Sequence, residues 1–144
     1  TINKILTSFH YNVTEFIHTI QHEYVHILNQ NKPFDEQAWQ KISPGDYTGT
    51  WHLEVLQNSR NLGFVTNYAR NNIIEDFAET ASTILTSSKA EYAAILNSIT
   101  NPIGKAKLQQ KEAMVVQYYK DAFNIDFYAL RDEAEKNTTI VVNN

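Results

Sequence analysis

Apolar positions in this chain recur three and four residues apart over most of its length. That is the period of helices packed by one face, and it is not the alternation of half-buried strands. From Asn12 to Gln30 the run is Val13, Phe16, Ile17, Ile20, Tyr24, Ile27 and Leu28, a broad stripe on one long helix. Asn12, with Glu15 three residues on, offers a capping pair for its start. Ile2, Ile5, Leu6 and Phe9 in the preceding stretch fit a helix better than a strand, or equally a frayed lead-in. Between Asn29 and Thr50 the period lapses, and Pro33, Pro44, Gly45 and Gly49 mark a long loop. Asp35 can cap one short turn within it, over Glu36 to Lys41. The loop's aromatics, Phe34, Trp39, Tyr47 and Trp51, either pin it to the core or line a cleft; pinning is expected. A loop of this length in a compact domain commonly walls or covers a site.

The period returns at Trp51 to Asn61, where Trp51, Val55 and Leu56 share a side and Gly63 follows the end. Asn71 or Asn72 can open a helix running to about Ser87, with Ile74, Phe77, Ala78, Ala81 and Leu85 as its packing stripe. Ser87 or Ser88 opens the next, carrying Tyr92, Ile95 and Leu96 and closing near Asn101-Pro102. Ile103 to Phe123 carries Leu108, Val115, Tyr118, Tyr119 and Phe123, long enough to brace its neighbours. Asp126 caps a last helix over Phe127 to Lys136. Asn137 to Asn144, with Ile140, Val141 and Val142, reads as one short strand or a loose tail. The expected fold is mainly α, with little or no sheet.

Composition narrows the picture. The 144 residues make one domain, 1–144, and 42% apolar with 12% aromatic residues suffices for a core. The first residue is Thr, so the segment is expected to be the C-terminal part of a longer precursor. A net charge of −4 without a basic block argues against a nucleic-acid partner. No apolar run is long enough to span a membrane. The absence of cysteine excludes disulfides and thiolate metal ligands.

The polar positions carry the candidate chemistry. His22-Glu23-Tyr24-Val25-His26 reads H-E-x-x-H inside the long helix. Residues four apart lie one above the other, so His22 and His26 can offer two imidazole nitrogens to one metal ion. Glu23 lies about 100° round the helix, bordering that face, where a general base for a metal-activated water belongs. The plain alternative is coincidence, and histidine's scarcity (five in the chain) makes the spacing an uncommon accident. Zinc suits the donor set, being borderline-soft and tetrahedral with one position open. His18 shares the face one turn away, too far along the axis to be a third ligand, and is expected to be solvated or hydrogen-bonded. His52 is read as a surface residue.

An open catalytic zinc site needs a third protein ligand. A third histidine at metzincin spacing is missing after His26. The remaining source is a carboxylate from another helix. On the helix opened by Asn71 or Asn72, Glu75 and Glu79 stand four apart on one face and Asp76 points elsewhere. Glu75 is the expected third ligand, and Glu79 the acceptor for a ligand imidazole's free N–H. Glu75 three residues after Asn72 could instead complete a capping box or complement the helix dipole.

H-E-x-x-H followed by a helix bearing E-x-x-x-E resembles the gluzincin metallopeptidases. Tyr68, seven residues before Glu75, makes the pattern similar to the catalytic domain of anthrax lethal factor. His22 to Gln30 together with Glu75-Asp76-Phe77-Ala78-Glu79 is similar to the zinc-binding metallopeptidase lipoproteins of Bacteroidetes, which are associated with outer-membrane nutrient importers. The resemblance covers about Phe16 to Thr83. It implies a zincin-like domain in which the H-E-x-x-H helix packs on the glutamate-bearing helix. Its implied roles are zinc held by His22, His26 and Glu75, with Glu23 as general base and then proton donor to the leaving amine. Tyr68 would donate a hydrogen bond to the oxyanion; as one of eight tyrosines it could also be a packed core residue. Arg70 would steady the oxyanion or a substrate carboxylate, or form a surface salt bridge. The implied activity is a zinc-dependent hydrolase acting on a peptide or protein. The alternatives are a catalytically idle zinc-stabilised module of a surface nutrient-import complex, or a hydrolase of a non-peptide amide. The implied location is extracytoplasmic, as an outer-membrane or periplasmic lipoprotein. Gluzincins also place a strand along the cleft upstream of the motif; the few residues before this motif helix do not carry a strand pattern.

Overall fold

A computed structural model describes residues 2–143 of the chain; Thr1 and Asn144 lie outside the described residues. Among the described residues seven helices follow one another: α1 (Ile2–Asn31), α2 (Glu36–Gln40), α3 (Leu56–Asn61), α4 (Ile73–Thr86), α5 (Lys89–Ser98), α6 (Pro102–Phe123) and α7 (Phe127–Asn143). Two 3-10 turns, Trp51–Leu53 and Tyr68–Arg70, complete them, and no strand occurs among the described residues. Among the described residues no helix is long and apolar enough to cross a membrane.

The central element is α4. Ten consecutive residues from Asp76 to Leu85 are buried, and α1, α2, α6, α7 and the Tyr68 turn all pack against it. Asn72 opens it: its side-chain oxygen accepts the amides of Ile74 and Glu75, satisfying two of the helix's free N–H groups. Phe77 sits fully buried between the Phe34, Trp39 and Tyr118 rings. Those contacts pin the 33–50 loop to the core, and Asp35 caps α2 by accepting the Ala38 amide. Ser88 and Glu91 form the capping box of α5.

Four local expectations are corrected. First, α1 does not begin at Asn12. No Pro or Gly interrupts the chain before Pro33, and Thr14 and Thr19 bond back to the carbonyls of His10 and Glu15, so the helix runs on from Ile2. Second, its apolar stripe does not face the core. Phe16, Ile20, Tyr24 and Ile27 are exposed, whereas His22 and Val25, on the opposite side, are buried against α4. One helix cannot turn both faces to α4, and the histidine face is the one turned inward. Third, Trp51 to Asn61 is not one helix. Glu54 is extended (ψ 148°), and its carbonyl accepts from Asn67 while its carboxylate pairs with Arg70. Fourth, α7 continues past Lys136 to Asn143, where Thr138 and Thr139 bond back one turn.

Candidate metal centre

The packing of α1 on α4 brings three donor atoms from distant stretches together. His22 Nε2 lies 2.9 Å from Glu75 Oε2, His26 Nε2 lies 3.2 Å from the same oxygen, and the two nitrogens are 2.9 Å apart. Donors bound tetrahedrally at ~2.0–2.1 Å would stand about 3.3 Å from one another, so the trio needs only a small expansion to enclose zinc. Its chemistry asks for a cation. His22 Nδ1 faces Glu79 Oε1 at 2.7 Å, which favours the ring proton on that nitrogen, so that Nε2 can present its lone pair to a cation shared with Glu75. The Glu79 oxygen lies off the line of the N–H, so this contact is more electrostatic than a straight hydrogen bond. Burial opposes charge on His22, but Glu79 and Glu75 outweigh it and raise its pKa. One proton cannot satisfy three mutually adjacent acceptors; a divalent cation can. Among the described residues no fourth His, Cys, Asp or Glu joins this trio, which leaves a position open for water or substrate.

Glu79 is held from several sides. Thr66 Oγ1 donates to Oε2 at 2.7 Å, while His18 Nε2 reaches Oε1 at 3.2 Å. Burial alone would raise its pKa; the bonds from His18, His22 and Thr66 win and bring it down to about 2. His18 is thus hydrogen-bonded, its other nitrogen lying 3.4 Å from Thr86 Oγ1. His18, His22 and Glu79 also group closely enough to hold an ion. Each residue of a grouping offers one atom, so an ion there would draw on the His22 nitrogen facing Glu79, and filling both groupings together would take both His22 nitrogens. The His22–His26–Glu75 set is the one that borders the cleft carrying Glu23.

Glu23, His26 and Glu75 line one cleft of about 430 Å³, together with Asn29, Gln30, Pro33, Phe34, Glu36 and Ile74. Glu23 is exposed and bonds to no described residue. A cavity of about 490 Å³ between the ends of α1 and α6 shares the Pro33–Phe34 wall and contains none of the candidate ligands. Tyr68 stands on its 3-10 turn with its ring 5.9 Å from that of His22. Burial and then the Glu75 carboxylate raise its pKa, so the phenol keeps its proton at neutral pH. Trp51 packs edge-on against Tyr68 at 4.9 Å, supporting the site itself. His52 is exposed. Arg70 is no surface residue: it is 8% exposed, bonded to Glu54 and to the Asp46 carbonyl, and therefore committed to the scaffold.

Sequence reasoning missed Asp76 and Thr66. Asp76 is fully buried, and its Oδ2 accepts from Lys111 (2.9 Å), Trp39 (2.9 Å) and Tyr47 (2.8 Å). It ties α2, the loop and α6 to the residue next to Glu75. A signal existed: Lys111 falls on the same face as Leu108 and Val115, and a lysine at a core position needs a buried carboxylate. Thr66, in an irregular stretch, gave no such signal.

The fold and this site define a helical protein built round an H-E-x-x-H helix and a glutamate helix. The family described as "Putative zinc-binding metallo-peptidase" matches residues 1–128, and the chain belongs to it. It is similar, at 34% identity and a TM-score of 0.84, to the crystal structure of a putative zinc-binding metallo-peptidase from Bacteroides caccae. The match covers 90% of this chain and 49% of that one, so the chain spans about half the length of that protein. No curated protein matches.

Proposed function

We propose that the chain is a zinc-dependent hydrolase of gluzincin type acting on peptide bonds, with His22, His26 and Glu75 holding the metal. The observation that carries this reading is the convergence of His22 Nε2, His26 Nε2 and Glu75 Oε2 within 3.2 Å of one another, beside an open cleft. When bound, zinc supplies a Lewis acid that polarises the scissile carbonyl and lowers the pKa of a water. Glu23, free of partners on the wall of the same cleft, takes the proton from the attacking water and returns it to the leaving amine. Tyr68 keeps its phenolic proton and donates it as a hydrogen bond to the developing oxyanion. Glu79 keeps the His22 proton on Nδ1 and so keeps the ligand nitrogen bare.

The test is zinc binding by competition with a chromophoric chelator, paired with cleavage of a mixed peptide library, with Glu23→Gln as control. Tight binding with cleavage that the control loses by about 10²–10⁴-fold is expected. Zinc bound without any cleavage would instead favour an idle zinc-stabilised module, and cleavage confined to non-peptide amides would redirect the substrate class. The uncommitted Glu23 favours the enzyme. The family resemblance supports the further reading that the protein works outside the cytoplasm, as a lipoprotein beside outer-membrane nutrient importers. Cell fractionation that recovers it from the cytosol would reject that placement.

A further inference from the structure

Thr66 lies outside every helix, just before the 3-10 turn that carries Tyr68. Its hydroxyl donates to Glu79 Oε2 at 2.7 Å and accepts the amide of Ala69 at 3.1 Å. A hydroxyl has one donor and two lone pairs, so both bonds form at once. The two bonds lead to different parts of the site. Through the first, the oxygen fixes the carboxylate whose other oxygen faces His22 Nδ1 at 2.7 Å and His18 Nε2 at 3.2 Å. Through the second, it caps the turn one residue after Tyr68. Ala69 is fully buried, so its amide would lose a needed partner if the hydroxyl were removed.

We propose that Thr66 is a positioning residue that sets, with a single hydroxyl, both the orientation of the ligand imidazole of His22 and the placement of Tyr68. Its hydroxyl bonds to neither His22 nor Tyr68. It acts on the first through Glu79 and on the second through the Ala69 backbone. The His22 half rests on the zinc reading above; the Tyr68 half does not depend on a metal.

Thr66→Val keeps the shape and removes the hydroxyl, and Thr66→Ser keeps the hydroxyl and removes the methyl. In zinc competition titrations Thr66→Val is expected to bind about 10- to 100-fold more weakly than wild type, the range for losing an outer partner of a ligand histidine. Thr66→Ser is expected to stay within about threefold of wild type, since it keeps the hydroxyl that makes the outer contact. In a Glu79→Ala background, adding Thr66→Val should change zinc affinity by no more than about twofold, because the pathway is already cut. Separately, amide exchange followed by NMR on the metal-stripped protein should show Ala69 exchanging about tenfold or more faster in Thr66→Val, and unchanged in Thr66→Ser. Circular dichroism of each variant checks that the helices persist. If Thr66→Val is too unstable to handle, Thr66→Ala and Thr66→Asn carry the same comparison. Equal zinc affinity in Thr66→Val and wild type, or equal losses in Thr66→Val and Thr66→Ser, would overturn the proposal. A wild-type chain that binds no zinc would overturn the metal reading and the His22 half with it. Unchanged Ala69 exchange would overturn the Tyr68 half.

Discussion

Lys111→Met is the sharpest test of how the scaffold holds the site. The Lys111 side chain is fully buried. Its Nζ lies 2.9 Å from Asp76 Oδ2 and 2.9 Å from the Gly63 carbonyl, and 3.6 Å from the centre of the Phe64 ring. At this separation the Coulomb attraction is about 6 kcal/mol for an effective dielectric of about 20. Desolvation costs several kcal/mol per ion, so the intact pair contributes little net stability. Removing one partner is another matter. Methionine fills much of the lysine's volume but leaves Asp76 buried with only Trp39 and Tyr47 donating to it, and leaves the Gly63 carbonyl unpaired. The expected loss is about 3–5 kcal/mol, read from urea unfolding of the metal-stripped protein. The double variant Lys111→Met/Asp76→Asn removes both charges and should recover at least about half of that loss. The deficit should also depend on pH. Burial already raises the Asp76 pKa, and Lys111 is the main influence opposing it. Without Lys111 the folded-state pKa moves further above the unfolded value of 3.8. Between those two values the folded state holds a proton that the unfolded state lacks, so stability falls as pH rises. The Lys111→Met deficit therefore shrinks on going from pH 7 towards pH 4. A loss below about 1 kcal/mol, or a double variant no better than the single one, would refute the uncompensated-charge reasoning.

Three further outcomes follow from the site. Glu75→Gln should weaken zinc binding by more than about 100-fold, beyond the range for outer partners, while its neighbours keep the fold; chelator competition reads it, and affinity within tenfold of wild type would remove Glu75 from the ligand set. Tyr68→Phe should lower kcat by about 10²–10³-fold, the cost of one oxyanion donor, with zinc affinity unchanged; equal kcat would return Tyr68 to a packing role. Glu79→Gln should change the acid limb of stability in metal-stripped protein. The Glu79 pKa falls from 4.5 to about 2 on folding, so its contribution, about 3 kcal/mol at ~1.36 kcal/mol per unit, is present above pH 4.5 and lost as pH falls towards 2. The variant should lack that slope in urea titrations across this window, and a parallel slope in both proteins would count against the buried carboxylate.

What could be read from the residues alone was local in sequence or recurrent in spacing. H-E-x-x-H needs only one helix to set its geometry, and Asn72 announces the start of the helix that brings Glu75 and Glu79 to it. The helical class and the α4 stripe were legible because their period repeats. The rotation of α1 was not. Its apolar residues outnumber its histidines, and a burial count turns Phe16, Ile20, Tyr24 and Ile27 inward. The structure exposes them and buries His22 instead. The break at Glu54 was equally hidden, because it depends on Asn67 and Arg70, both more than ten residues away in sequence. Propensity cannot report bonds of that reach.

These failures share a cause that bears on how the site works. Three acidic residues within five positions of α4 go to three different tasks. Glu75 faces the His22 and His26 nitrogens, Asp76 takes the buried lysine, and Glu79 backs His22. At about 100° per residue, Glu75 and Glu79 fall on the α1 side while Asp76 turns towards α2 and α6. Rotation of α4 about its axis would have to break the Asp76 bonds as it carried Glu75 away from the imidazoles. The buried pair therefore sets the register of the glutamate helix, and the geometry of the candidate metal centre depends on residues that lie outside it.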